Sequence, residues 1–425
     1  MTAPAGSARA DLGSALDASR ERALDRLQRL VRAQAVAGNE AGAQAIVADA
    51  FRAMGARVDT FDVDPDDLAR YPGWASTDAD YRGRPNVVGV LRGMGDGRSL
   101  ILNAHVDSVV PGPAELWERD PWSAEISHGR LHGRGAWDDK AGIAIMLWIA
   151  DALCESGIQM RGDLILESVI DEESSGNGTL ACSARGYRAD AAIVVDGRVG
   201  RAVTAHCGQL WFRITVHGRS AAAVRSRTGV NAIELLLPFV TELRKLEREV
   251  PLPPPPFDQL GDAFQLNPGV IAGGATPTTV PAITSLDCHM TFAPPLSLDD
   301  AKALVARAVE RVTRGSDWLV RNPADLQFLS LQVPPFVAPA GTAELVAALD
   351  RSQRAALGTP LEVGPIAGFG DLRHFQLAGP TPCCLYGSGI GENPHAPNEW
   401  LELASMDHAA HTLASFVVEW CGRGQ

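Results

Sequence analysis

Residues 163–173 read Asp-Leu-Ile-Leu-Glu-Ser-Val-Ile-Asp-Glu-Glu (DLILESVIDEE). A short apolar run of this kind predicts a strand buried on both faces, as in a parallel sheet packed between helices. It runs straight into Asp171, Glu172 and Glu173, whose like charges repel. At the end of a buried strand such repulsion needs a cation or raised pKa values. Taken alone, the three acids also fit a solvated acidic turn.

The same texture recurs outward from this stretch. Residues 85–91 (PNVVGVL), 99–104 (SLILNA) and 191–196 (AAIVVD) read as further buried strands. Helical spacing of apolar residues is present over 16–32 and 40–54, and a helix is expected over 142–153, so the pattern is α/β. From about residue 205 the texture changes to strand (GQLWFRITVHG), helix (GVNAIELLLPFVTELRKLE), two strands (FQLNPGVIAGG, AITSLDCHMTF), helix (LDDAKALVARAVERV) and strand (DLQFLSLQ). This βαββαβ order predicts a separate ferredoxin-like module over 205–332, inserted in an α/β domain with a largely parallel central sheet formed by 1–204 and 333–425.

A chain of 425 residues exceeds one ordinary core, which suits that division. The formal net charge of −13 argues against nucleic acid, whose phosphates require clustered Lys and Arg. The longest apolar runs, such as 143–150, fall far short of the roughly 20 residues of a membrane span. The first residues carry acids and no apolar core of a secretory signal, so a cytoplasmic location is expected. Seven cysteines with no CxxC spacing suggest neither a disulfide framework nor a thiolate metal site. A metal here must use histidine and carboxylate.

Such groups gather where the expected strands end, which is where sites form in open α/β sheets. The strand ending in LILNA meets His105 and Asp107; a metal-binding imidazole usually gives its second N–H to a carboxylate, and Asp107 is placed to receive it. The stretch RGAWDDKAG (134–142) puts Asp138 and Asp139 at a helix start, where an N-cap role is the plainer alternative. Asp196 ends AAIVVD, and His395 lies in the Gly- and Pro-rich loop SGIGENPHAPNEW. Two histidines and at least three acids make the N/O ligand set of a catalytic Zn²⁺ or Mn²⁺ site.

In this order the motifs, from His105 to Glu399, resemble the M20 family of metallohydrolases. That family includes aminoacylases, acetylornithine deacetylase, succinyl-diaminopimelate desuccinylase and the glutamate-releasing carboxypeptidase. The resemblance implies one metal held by His105, Asp138 and Asp196 and a second by Asp138, Glu173 and His395, with Asp138 bridging. It implies one or two divalent cations per subunit (Zn²⁺ or Mn²⁺, with Co²⁺ a further candidate), Glu172 as general base, and dimerisation or higher homo-oligomerisation through the inserted lid. Asp107, as the carboxylate placed to orient the His105 ring, is counted with Glu172 among the catalytic residues. Arg373 in GFGDLRHF matches a candidate clamp for a substrate carboxylate, with a structural ion pair as the alternative. Asn231 matches a position that can face substrate, although N-capping explains it more simply.

The departures from the family pattern matter as much. Where peptidase and deacylase members carry a lid histidine reaching the oxyanion, this chain has Ala222 in Gly218-Arg219-Ser220-Ala221-Ala222. Losing an oxyanion donor commonly costs about 10²–10³ in rate. Where many members have Arg two residues after an Asp, the chain has Asp287-Cys288-His289. His289, Arg225, His206 and His217 are the remaining lid candidates. The leading expectation is hydrolysis of a C–N bond in a small carboxylate-bearing substrate, an N-acyl amino acid or dipeptide. The alternative is hydrolytic deamination of an electron-poor aromatic amine of the nitroanthranilate type, in which charge spreads into the ring. A binding protein of hydrolase descent is a third class, against which the presence of Glu172 argues.

Overall fold

Leu164–Val169 is a strand buried at every position, as are Leu100–His105 and Ala191–Val194. With no polar face to present to water, each must lie inside a sheet covered on both sides. The computed structural model, which describes residues 5–424 apart from 78, 262, 378 and 392, and side chains from residue 12 on, places them accordingly. Leu164–Val169, Leu100–His105, Ala191–Val194 and Cys383–Leu385 lie side by side in that order, all parallel. Antiparallel strands flank this centre: Pro85–Leu91 then Arg57–Asp62 on one side, and Arg201–His206 on the other.

The helix Lys140–Glu155 is buried from Lys140 to Leu153. Its apolar residues recur on all sides because it packs against the strand Leu100–His105 and the helices Ala5–Arg32 and Leu403–Cys421. Trp148, at its middle, satisfies its indole N–H on Leu16 O at 2.9 Å. Removing one such buried Leu or Ile to Ala would cost roughly 2–5 kcal/mol.

The chain divides into two compact units: 1–204 with 338–364 and 370–425, and 205–337 with 365–369. The division differs from the expected one at its C-terminal edge. Residue 332 falls inside the strand Asp325–Val333, and Phe336 and Val337 pair with His206 and Ala205 of the same unit. The second unit forms a four-stranded antiparallel sheet in the order Gln265–Gly273, Ile283–Phe292, Gly208–His217, Asp325–Val333. This is the ferredoxin-like order that βαββαβ predicts. In Gly208–His217 burial alternates from Leu210 onward, so one face is covered; there the helices Ala232–Leu243 and Leu298–Arg314 bury Leu236, Phe239, Leu304 and Val305. The second of these helices starts with a capping box made by Ser297 and Asp300.

Among the described residues no helix is long and apolar enough to cross a membrane. All seven cysteines are free thiols, Cys154 exposed and the others buried.

Candidate metal centre

Parallel strands deliver their C-terminal ends to one edge of the sheet, and in the first unit that edge carries the chemistry-bearing residues. His105 is the last residue of its strand, Glu172 and Glu173 follow Val169, and Asp196 follows Val194. The helix Lys140–Glu155 starts beside them. Its N-cap is Asp139, whose carboxylate accepts from Gly142 N at 3.2 Å and from His105 N at 3.3 Å. Asp139 is therefore the capping acid, which frees Asp138 to point elsewhere.

The two carboxylate oxygens of Asp138 face different histidines: Oδ1 lies 3.1 Å from His105 Nε2 and Oδ2 lies 3.1 Å from His395 Nε2. Glu173 Oε2 lies 3.0 Å from the same His395 nitrogen, and Glu172 Oε2 lies 4.0 Å from His105 Nε2. His105, Asp138 and Glu173 each place one ligand atom within 4.8 Å of the others. His395 and Asp171 both hold left-handed backbone, with φ of 62° and 67°, a strain that clusters at functional sites.

Asp107 acts differently from expectation. His105 Nδ1 lies 3.0 Å from the backbone carbonyl of Asp107 and 3.6 Å from its carboxylate. The carboxylate instead accepts the backbone N–H groups of Glu172 and Glu173, each at 3.3 Å. Asp107 thus fixes His105 through its main chain and the two glutamates through its side chain. Asp171, first of the three acids, turns away to accept from Tyr81 Oη at 2.7 Å and to pair with Ser175 Oγ.

The centre holds more negative charge than its cations balance. Burial first, then neighbouring acids, raises the carboxyls of Glu172 and Glu173, and Asp196 is pushed up to about 7 by burial and by the charge of Asp138. Asp139 is likewise raised by burial and by Asp196. Burial opposes ionisation of Asp138, yet hydrogen bonds to both histidines hold its carboxyl well below the usual range. Hydrogen bonds to Asp138 and Glu173 raise His395 to about 11, and against the opposing effect of burial Asp107 and Asp138 raise His105.

Three supporting residues carry no sequence-level assignment. Lys140, fully buried, donates to Ser108 Oγ at 3.0 Å and Ala35 O at 3.3 Å, and burial lowers its pKa to about 8. Arg134 and Glu399, both buried, pair at 2.7 Å. Both lie inside quoted motifs, and an Arg and a Glu in two loops that serve one site was the available signal. Trp137 packs on Gly389 so closely that a Cβ there would fall 1.8 Å from the indole.

The substrate candidates divide between the two units: Arg373 belongs to the first, and Asn231, Arg225 and His289 to the second. Arg373, its side chain 8 % exposed, donates to Gly370 O at 3.0 Å and Ser175 O at 2.7 Å and lies 3.8 Å from Asp371. Burial lowers its pKa, and the charges of Asp371 and Glu172 partly restore it. Asn231 caps the helix Ala232–Leu243, accepting from Ile233 N at 2.9 Å. Arg225 is exposed in the turn Ala223–Thr228, and Ala222 just before it is exposed as well. His289 Nε2 lies 2.6 Å from Gln209 Oε1, and the Gln209 amide donates to Ala367 O at 2.7 Å. Burial lowers the His289 pKa, and because Gln209 Oε1 accepts, His289 Nε2 is the donor in that contact. His217 pairs with Asp325 at 2.8 Å, and His206 is buried against Phe336.

The sequence profile of peptidase family M20/M25/M40 matches residues 101–419. An N-formyl-4-amino-5-aminomethyl-2-methylpyrimidine deformylase from Bacillus subtilis is 29% identical over 416 residues, 91% of this chain and 91% of that protein. A succinyl-diaminopimelate desuccinylase from Cupriavidus necator is 27% identical over 362 residues, 81% and 85% of the two chains. Among solved structures, a dipeptidase from Saccharomyces cerevisiae superposes with a TM-score of 0.78 at 14% identity, covering 97% of this chain and 98% of that one. The strand-end centre, the inserted ferredoxin-like unit and the profile match agree: the chain belongs to peptidase family M20/M25/M40 and is a hydrolase acting on amide-type bonds.

Proposed function

We propose that the chain is a divalent-metal-dependent amidohydrolase that removes a short acyl group from a small amine. The observation that carries this is Asp138, with one carboxylate oxygen toward each histidine and Glu172 beside the pair. The donor set fits cations. Buried carboxyls at Glu172, Glu173 and Asp196 resist ionisation without added positive charge, and the ligand atoms are imidazole nitrogen and carboxylate oxygen throughout. His105, Asp138 and Asp196 would hold one cation and Asp138, Glu173 and His395 the other. Bound there, Zn²⁺, Mn²⁺ or Co²⁺ supplies Lewis acidity that polarises the scissile carbonyl and acidifies water.

The chain's own residues handle the proton and the geometry. Glu172, ionised once cations offset its burial, takes a proton from the attacking water and delivers it to the leaving nitrogen. Asp107 holds the backbone of Glu172 and Glu173, so the general base and its metal-binding neighbour keep fixed places. Substrate contacts are assigned to Arg373, His289 and Arg225, while Asn231 is kept as the cap of its helix. The deformylase and desuccinylase relatives each release a small acyl group from an amine, which favours formyl and succinyl amides over long peptides. Free thiols suit a cytoplasmic setting, and exposed Val270 and Ile271 on the edge strand Gln265–Gly273 suit a homodimer.

Deamination of an aromatic amine is the second reading, favoured by Ala222 and by His289, whose N–H is already engaged by Gln209. One incubation separates the two. Metal-loaded protein is given N-formyl aminomethylpyrimidine, N-succinyl amino acids, dipeptides and aminobenzoates, and released acid, amine and ammonia are measured separately. Carboxylic acid together with free amine is expected. Ammonia from an aminobenzoate, with no acyl substrate consumed, would overturn the amide reading.

A further inference from the structure

Glu399 is a fully buried carboxylate that touches neither histidine, yet it gathers the segment bearing Asp138. Its Oε2 accepts from Gly135 N at 2.9 Å and its Oε1 from Trp137 N at 3.0 Å and Asp138 N at 3.2 Å. Its own carbonyl accepts from Gly133 N at 2.9 Å. The countercharge is Arg134, whose Nη1 donates to Glu399 Oε2 at 2.7 Å. Arg134 Nη2 reaches the other loop, donating to the carbonyls of His395 at 3.0 Å and Ala396 at 3.2 Å. One ion pair therefore ties the backbone of Asp138 to the backbone of His395.

His105 is held by other means. It lies in register with Val169 of the neighbouring parallel strand, and its ring is fixed by Asp107 and its N–H by Asp139. The two histidines that Asp138 faces thus differ in support: one is built into the sheet, the other hangs on a strained loop through Arg134.

We infer that Arg134 and Glu399 are positioning residues that set the distance between Asp138 and His395, and so govern cation binding at the Asp138–Glu173–His395 position selectively. This rests on the two-cation reading given above. Removing a partner that orients metal ligands typically lowers affinity about 10–100-fold. Asp138 serves both positions, but its histidine partners differ: His105 keeps its own supports, so the larger loss falls where His395 depends on Arg134.

The test is Glu399→Gln, which preserves shape but replaces one of the two accepting oxygens with an amide donor, so it removes the charge that holds Arg134 and keeps only part of the backbone N–H contacts. Cation binding to metal-freed protein is followed by calorimetry and by metal counting with Zn²⁺, and the Co²⁺ absorption spectrum is recorded at each equivalent. Two binding events are expected in the unaltered chain. In Glu399→Gln one event should weaken by about 10–100-fold, with the other little changed and the Co²⁺ spectrum altered only at the weakened step. Because an unpaired buried Arg134 can unfold the chain, the double variant Arg134→Met with Glu399→Met is measured alongside and should show the same selective loss. The inference is overturned if both events weaken equally, or if only the unfolding temperature falls while both affinities stay. If the unaltered chain binds no cation, the proposed function fails instead.

Discussion

The strand-end centre of the first unit and the substrate candidates of the second are built on different terms. In the centre, His105, Asp138, Glu173 and His395 pair with one another, and the acids are buried or half-buried with their charges in conflict. In the second unit each candidate is locally satisfied or free in solvent: Asn231 caps its own helix, His289 leans on Gln209, and Arg225 is exposed. Side chains that conflict when alone are arranged for something else to join them. Side chains satisfied by their own element or by solvent carry no such conflict.

The contrast can be broken most decisively at Glu172. Glu172→Gln should lower kcat by about 10²–10⁴-fold while metal content is unchanged. Near-normal turnover would move the chemistry away from the strand-end centre.

A smaller effect is expected from Glu167, buried beneath the same sheet edge with Asn103 Nδ2 donating to it at 3.0 Å. Burial raises its pKa to about 8 from 4.5. A raised folded-state pKa means the folded chain binds more protons, so this contribution to stability is full below about 4.5 and is lost as pH rises through about 8. Glu167→Gln copies the protonated form and should raise stability at pH 9 by roughly 2–5 kcal/mol, flattening the decline between those values. Denaturant unfolding of both proteins across pH measures it. A variant that is less stable at high pH would show that the centre needs this charge.

The smallest expected effect lies in the second unit. Asn231→Ala should cost about 1 kcal/mol of stability through the lost cap, with KM unaffected. A large rise in KM would convert Asn231 from a helix cap into a substrate contact and blur the contrast between the units.

Most of the first unit's architecture was legible because strands buried on both faces are continuous apolar runs, and acids such as Glu172 and Glu173 stand out at their ends. The βαββαβ unit was legible from its alternating periods, but its boundary was not, because Phe336 and Val337 are assigned by whom they pair with. At the centre, His105, Asp138, Glu173 and His395 were visible as residue types in order. Arg134 and Glu399 were passed over: they pair across 265 positions of sequence, and their meaning arises only when two loops meet.

Asp107 shows the same limit at short range. Two residues from His105, it was expected to use its carboxylate on the imidazole, and instead gives that histidine its carbonyl while the carboxylate spans the Glu172–Glu173 backbone. The sequence by itself determined which chemistry is possible, since hydrophobic periodicity builds the sheet and places acids and histidines at its ends. Only the tertiary structure decided which donor meets which acceptor and how far each pKa moves. Hydrogen bonds and buried charges depend on distances of a few ångströms between loops, which a linear pattern does not encode.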